Sequence, residues 1–133
     1  MKNLKIGDSA PEINSIDQNG DAITLKQFKG KKVVLYFYPK DMTPGCTVQS
    51  CNLRDNYKLL LERGYVVLGC SADSTDKHVK FIEKYDLPFP LISDESKQVL
   101  NAYGVWGSKK FMGKEYDGIS RTTFVIDEKG IIE

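Results

Sequence analysis

An α/β fold, a sheet covered by helices, is the class this chain predicts. Two apolar, β-branched runs, Lys32–Pro39 and Tyr65–Ser71, each read as a strand buried on both faces. Each is followed by a stretch with helical spacing of apolar residues. Strands alternating with helices imply parallel crossovers and therefore a sheet packed between helical layers.

In chain order, Glu12–Asp17 and Ala22–Leu25 flank Gln18-Asn19-Gly20-Asp21, and Asn-Gly is a strong hairpin signal. After Lys32–Pro39, Thr43 is a suitable N-cap and Pro44 fits the first helical position, where no N–H is needed. Leu53, Tyr57, Leu60 and Leu61 continue one helix, and Gly64 stops it. Beyond the strand 65–71, Ser74 or Thr75 caps a second helix carrying Val79, Ile82 and Tyr85 on one side, with Pro88 beyond its end. Phe89–Ile92 is a short strand, and Glu95–Tyr103 a third helix ended by Gly104. A Gly- and Lys-rich loop is expected over 104–118. Arg121–Asp127 is a further strand, turned by Glu128-Lys129-Gly130 into Ile131-Ile132. A thioredoxin-like sandwich with an N-terminal β-hairpin and a central mixed sheet fits this order. A flavodoxin-like sheet is the alternative, because periodicity does not determine strand order. The chain stops two or three residues into a strand, where such a sheet usually closes with another helix. The expectation is a truncated chain or an unusually short one, with its C-terminal helix missing.

The 133 residues are one domain's worth, 1–133. With 19 basic and 18 acidic side chains the formal charge is +1, which gives no support to nucleic-acid or anionic-membrane binding. Lys109, Lys110 and Lys114 read as a solvated loop. The longest apolar run, Val33–Tyr38, is far short of the roughly 18 to 20 residues that span a bilayer. The start, MKNLKIGDSAPEI, has no apolar core of a secretory signal, so a cytoplasmic chain is expected. Thiols there are kept reduced, which makes Cys46, Cys51 and Cys70 candidates for reactive or inert thiols rather than structural bridges.

The informative segment is Pro39-Lys-Asp-Met-Thr43-Pro-Gly-Cys46-Thr-Val-Gln49-Ser-Cys51. It follows a buried strand, where α/β sheets put their ligands. With Thr43 as N-cap, Cys46 is the third helical residue, facing the positive end of the helix dipole and the free N–H groups of the first turn. Both favour thiolate, the nucleophilic form, over thiol. Cys70 sits in a buried-strand pattern and reads as an inert core thiol. His78, near the apolar side of its helix, reads as partly buried or surface. Zinc would need the three cysteines and His78 together, and their spacing matches no common finger. C-x-x-C is absent, and His78 has no visible orienting partner for a Cys-His protease.

The pattern P-x-x-x-T-x-x-C at Pro39, Thr43 and Cys46 resembles the active-site signature of the peroxiredoxins. TPGCTVQSCNLRD, YGVWG at 103–107, KKFMGKEYDGISRTTFVID at 109–127 and the early APEI are similar to the peroxiredoxin Q group, also called bacterioferritin comigratory protein. The resemblance implies a thiol peroxidase for hydrogen peroxide and organic hydroperoxides, needing no metal, haem or flavin. It implies that Cys46 is the peroxidatic cysteine and Cys51 the resolving one, joined as an intrachain disulfide. Thr43 would hydrogen-bond the sulfur and the peroxide, Arg121 would hold the thiolate and the peroxide oxygens, and Pro39 would shield the pocket. The N–H groups of Gly45 and Cys46 would complete an anion-binding nest. Thioredoxin or a similar dithiol is the implied reductant. The family includes monomers and dimers, and a monomer is expected. Gln49 stands where many relatives carry Glu, and Asp117 near a position often apolar. A redox-switched sensor or holdase with little turnover, and a structural module without activity, are the competing readings.

Overall fold

In a computed structural model, residues 4–111 and 113–133 are described, with the side chains of Lys109, Lys110, Phe111 and Tyr116 left aside. The elements are β1 (Asn14–Ile16), β2 (Ala22–Thr24), β3 (Lys32–Phe37), α1 (Pro44–Asp55), α2 (Tyr57–Glu62), β4 (Tyr65–Ser71), α3 (Thr75–Tyr85), β5 (Leu91–Ser93), α4 (Gln98–Ala102), β6 (Trp106–Phe111), β7 (Lys114–Ile119) and β8 (Thr122–Ile126). The predicted hairpin is β1–β2, in antiparallel register from Asn14↔Thr24 to Ile16↔Ala22. Its turn is tied by the Asp17 carboxylate, which accepts from the N–H groups of Asn19 and Asp21 at 2.9 and 3.1 Å.

The main sheet runs β5-β4-β3-β8. β3 pairs parallel with β4 and antiparallel with β8, and β4 pairs parallel with β5. An antiparallel neighbour for β3 makes the sheet mixed and excludes the flavodoxin-like alternative. As its apolar run requires, β3 is buried on both faces. Val33, Leu35 and Phe37 face a core with Leu68, Leu100 and Tyr103; Val34, Tyr36 and Tyr38 face one with Cys46, Val67 and Phe81.

Three expectations need correction. The stretch 104–118 is not a loop but largely an antiparallel hairpin, β6–β7, in register from Trp106↔Ile119 to Phe111↔Lys114. Lys109, Lys110 and Lys114 therefore lie on strands. The hairpin stands outside the main sheet and, among the described side chains, reaches the core only at its base, through Ile119 and Trp106, so no alternation runs along its strands. The single helix expected from Thr43 to Leu61 is two helices, interrupted at Asn56 (φ −103°, ψ 5°), whose side-chain amide donates to the Asn52 carbonyl at 2.8 Å. The third helix is shorter than 95–103, because Lys97 takes a left-handed φ of 64° before it. The Asp94 carboxylate holds this turn by accepting from Leu100 N–H at 2.8 Å.

Tyr103 ties the first of these cores to the N-terminal segment, donating its hydroxyl to the Pro11 carbonyl at 2.7 Å. Burial pushes the Tyr103, Tyr36 and Tyr38 phenols above their ordinary value. A folded-state pKa raised above the unfolded one gives stability that is complete below about pH 10 and lost as pH rises further. Urea unfolding should therefore show a stability loss above about pH 10. Tyr103→Phe should cost about 1 kcal/mol at pH 7 and make that alkaline loss shallower.

Candidate active site

Cys46 comes to its position because β3 ends at Phe37 and the chain turns through residues 38–43 into α1 at the C-terminal edge of the parallel strands. Thr43 has the extended backbone of an N-cap (φ −78°, ψ 150°) and Pro44 follows it. The Thr43 hydroxyl does not cap the helix. It donates back to the Lys40 carbonyl at 2.9 Å and closes the loop on itself. The first-turn N–H groups of Gly45 and Cys46 are left free of intrahelical partners, as at every helix start.

Cys46 is fully buried and Cys51 half-buried, and both are free thiols on α1. Arg121, in the two-residue link between β7 and β8, reaches across to Cys46. Its Nη2 donates to Cys46 Sγ at 3.2 Å and its Nη1 to Gln49 Oε1 at 2.7 Å. A Cβ on Gly45 would stand 3.3 Å from the same Nη2, so glycine keeps the guanidinium's approach open. Thus Cys46, Gly45 and Arg121 are brought together, and Gln49 joins them as the acceptor that orients the guanidinium. Sequence reasoning recorded Gln49 only as a departure from Glu. Its position three residues after Cys46, on the same helical face, was the available signal.

Pro39 is exposed and borders a cleft of about 370 Å³ with Lys40, Ala72, Asp73, Trp106, Asp117, Gly118 and Ile119. The cleft lies between the end of the main sheet and the β6–β7 hairpin. Asp117 is exposed on its rim. Cys70 is fully buried on β4, and burial pushes its thiol up.

His78 is not a partly exposed residue: it is fully buried, with Nδ1 2.6 Å from Asp41 Oδ2 and Nε2 3.0 Å from the Ile92 carbonyl. Tyr38 donates its hydroxyl to Asp41 Oδ1 at 2.5 Å, and burial followed by the Asp41 charge pushes that phenol up. Asp73 accepts from Asp41 N–H at 2.8 Å and from the Ser71 hydroxyl at 2.7 Å. By residue type Asp41, Asp73 and His78 are a metal-ligand set, each with a ligand atom within 4.8 Å of the others. The 2.6 Å separation is a hydrogen bond, shorter than the roughly 3.3 Å between ligand atoms on a tetrahedral zinc. The net instead pins the loop that launches α1. Next to this anchor, Met42 is held in the left-handed region at φ 67°, a conformation that a non-glycine residue keeps only when its surroundings impose it.

The AhpC/TSA family model matches residues 6–133. Peroxiredoxin Bcp of Escherichia coli K12 is 53% identical over 133 residues, covering all of this chain and 85% of that protein. The chain belongs to the AhpC/TSA family and is a peroxiredoxin, a peroxidase enzyme. Among solved structures, peroxidoxin BcpB of Mycobacterium tuberculosis has a TM-score of 0.87 at 36% identity, with 98% of this chain and 83% of that one covered. A Xanthomonas campestris bacterioferritin comigratory protein, studied for its alkyl peroxide reduction activity, gives 0.85 at 33% identity, covering 90% and 76%. The thioredoxin-like fold expected from the element order is that of these peroxiredoxins.

Removing one partner from a buried hydrogen-bonded pair leaves the other unsatisfied. His78→Leu should lower the free energy of urea unfolding by about 2 kcal/mol. Asp41→Ala with His78→Leu should recover part of this loss, because both polar partners are gone.

Proposed function

We propose that this peroxiredoxin reduces hydrogen peroxide and organic hydroperoxides through Cys46, resolves the oxidised sulfur with Cys51, and is recycled by thioredoxin or a similar dithiol. The observation that carries the reading is the Arg121 guanidinium donating to the Cys46 sulfur at the start of α1. Arginine stays charged and presents a fork of donors, so it favours thiolate and stabilises charge that develops on the leaving oxygen. Gln49 takes the second donor and fixes the fork's orientation.

In the first step the Cys46 thiolate attacks the terminal peroxide oxygen. The O–O bond breaks, a sulfenic acid forms, and water or an alcohol leaves. The Cys51 thiol then displaces the sulfenic oxygen as water and forms a disulfide, which an external dithiol reduces by exchange. The cleft beside Pro39 and Trp106 opens near this loop, with Lys40, Asp73 and Asp117 beside the apolar Pro39, Ala72, Trp106 and Ile119. Thr43 reaches the peroxide only by turning its hydroxyl away from the Lys40 carbonyl.

Cys46 and Cys51 both lie within α1. Five residues on a regular helix give ~7.5 Å of rise, ~140° of rotation and a Cα–Cα distance of ~8.6 Å. A disulfide needs about 4.4 to 6.8 Å with the side chains facing each other. The first turns of α1 must therefore unwind in each cycle. Pro44, Gly45, Thr47 and Val48 are poor interior helix formers and keep that step accessible.

Peroxide consumption coupled to thioredoxin, thioredoxin reductase and NADPH tests the cycle. Cys46→Ser should abolish turnover; Cys51→Ser should react once and not recycle; Cys70→Ser should match the parent. Full turnover in Cys46→Ser would refute the assignment, and a single stoichiometric oxidation in the parent chain would favour a sensor. Arg121→Met should slow the first oxidation by ~10²–10³-fold in stopped flow. Amide exchange across residues 44–53 should accelerate on oxidation while that around Leu60 stays protected; an oxidised structure with α1 intact through both bridged cysteines would refute the unwinding step.

A further inference from the structure

The face that α1 turns to the sheet carries Cys46 and Ser50 in its first half and the partly buried Leu53 in its second. Its buried residues are Cys46 and Ser50, and the Thr47 hydroxyl is buried without a hydrogen-bond partner among the described residues. Cys46 packs in the same apolar cluster as the rings of Tyr36 and Tyr38. Tyr36, fully buried in the middle of β3, lies over β4 at Gly69, its register partner. A Cβ on Gly69 would stand 2.9 Å from the Tyr36 hydroxyl oxygen and 2.5 Å from Leu91 Cδ2, so only glycine lets the ring lie there. From this position the Tyr36 hydroxyl meets the Ser50 hydroxyl at 3.0 Å. Ser50 is one turn after Cys46 and immediately before Cys51. Burial pushes the phenol up, against a smaller lowering by its hydrogen bond with Ser50.

We propose that the Tyr36–Ser50 hydroxyl pair is the latch that sets how readily α1 leaves the sheet, which makes both side chains positioning residues for the resolving step. This rests on the reading that Cys51 resolves a Cys46 sulfenic acid. That sulfenic acid has two fates. Unwinding α1 lifts Ser50 from Tyr36 and lets the Cys51 sulfur displace the hydroxyl, so that an S–S bond forms and water leaves. While α1 stays docked, a second hydroperoxide can oxidise the same sulfur to sulfinic acid and depart as alcohol or water. The strength of the latch divides the flux between them.

The two hydroxyls are not equivalent. Ser50→Ala leaves the Tyr36 hydroxyl buried and unpartnered only while the helix is docked, so it favours unwinding. Tyr36→Phe has a smaller effect, because a helical serine can turn its hydroxyl to the carbonyl four residues back. The double variant joins two apolar surfaces and re-seats the helix.

The test follows three quantities in stopped flow and mass spectrometry: the rate of the first oxidation, the rate of Cys46–Cys51 disulfide formation, and the peroxide concentration that gives half sulfinic acid. In Ser50→Ala, disulfide formation should speed up about five- to tenfold and the half-sulfinic concentration rise in proportion. The first oxidation should keep its rate, and amide exchange over residues 44–53 of the reduced protein should accelerate. Tyr36→Phe should move the same way but less, and the double variant should resolve no faster than the parent. Additive effects of the two single changes, or parental resolution rates in a folded Ser50→Ala and in Tyr36→Phe, would overturn the latch alone. Absence of any Cys46–Cys51 disulfide in the parent protein would overturn the resolving reading and the latch with it. Should Ser50→Ala not fold, Tyr36→Phe and the double variant carry the same comparison.

Discussion

Everything at the site depends on one contact, the guanidinium of Arg121 against the sulfur of Cys46. The two residues are 75 positions apart and belong to different layers. Bringing them together requires β8 to lie antiparallel beside β3, so that Arg121 emerges before Thr122 at the sheet end where Phe37 leads toward the thiol. Gly45 and Gln49 then complete the fit, one by offering space and the other by taking the second N–H. A cation beside a sulfur that is itself fully buried makes a more selective environment than a helix start alone, because low surrounding polarizability strengthens the interaction.

The same helix that presents Cys46 holds Cys51 away from it. Presentation needs regular N–H geometry at residues 44–46, whereas a bond between the two sulfurs needs that geometry to be given up. In the proposed cycle both demands are met by an α1 whose buried residues are the small Cys46 and Ser50 and by a break at Asn56. The proposed unwinding can thus be confined to α1, while α2 stays packed through Tyr57 and Leu60. A strongly apolar α1 face would hold the helix down and block the exchange.

Support for the loop before α1 comes from polar groups that are buried but partnered. Asp41 accepts from Tyr38 and faces His78, while its N–H is taken by Asp73. Such a net costs little once every member is satisfied and becomes destabilising when one member is lost. It explains how Met42 is kept at a positive φ. It also gives His78, which looked like an incidental helical residue, a structural task.

Periodicity by itself determined the alternation of β3, α1, β4, α3 and β5, because strands buried on both faces and amphipathic helices leave distinct patterns. Turn chemistry determined the β1–β2 hairpin at Asn19-Gly20, and helix-start chemistry marked Thr43, Pro44 and Cys46 as one unit. The family motif went further and singled out Arg121, which composition and spacing could not pair with Cys46. What only the tertiary structure decided was anything that depends on neighbours distant in the chain. The β6–β7 hairpin shows no alternation because, among its described side chains, only Ile119 and Trp106 at its base pack on the core, and the burial of His78 follows from Asp41 and Ile92, 37 and 14 residues away. Gln49 and Ser50 are polar side chains on a helix, and nothing local distinguishes them from solvated ones. Their partners, Arg121 and Tyr36, exist as partners only after the sheet has assembled. Local propensity and pattern are short-range properties of the chain, while hydrogen-bond partnership across layers is settled by strand order and register.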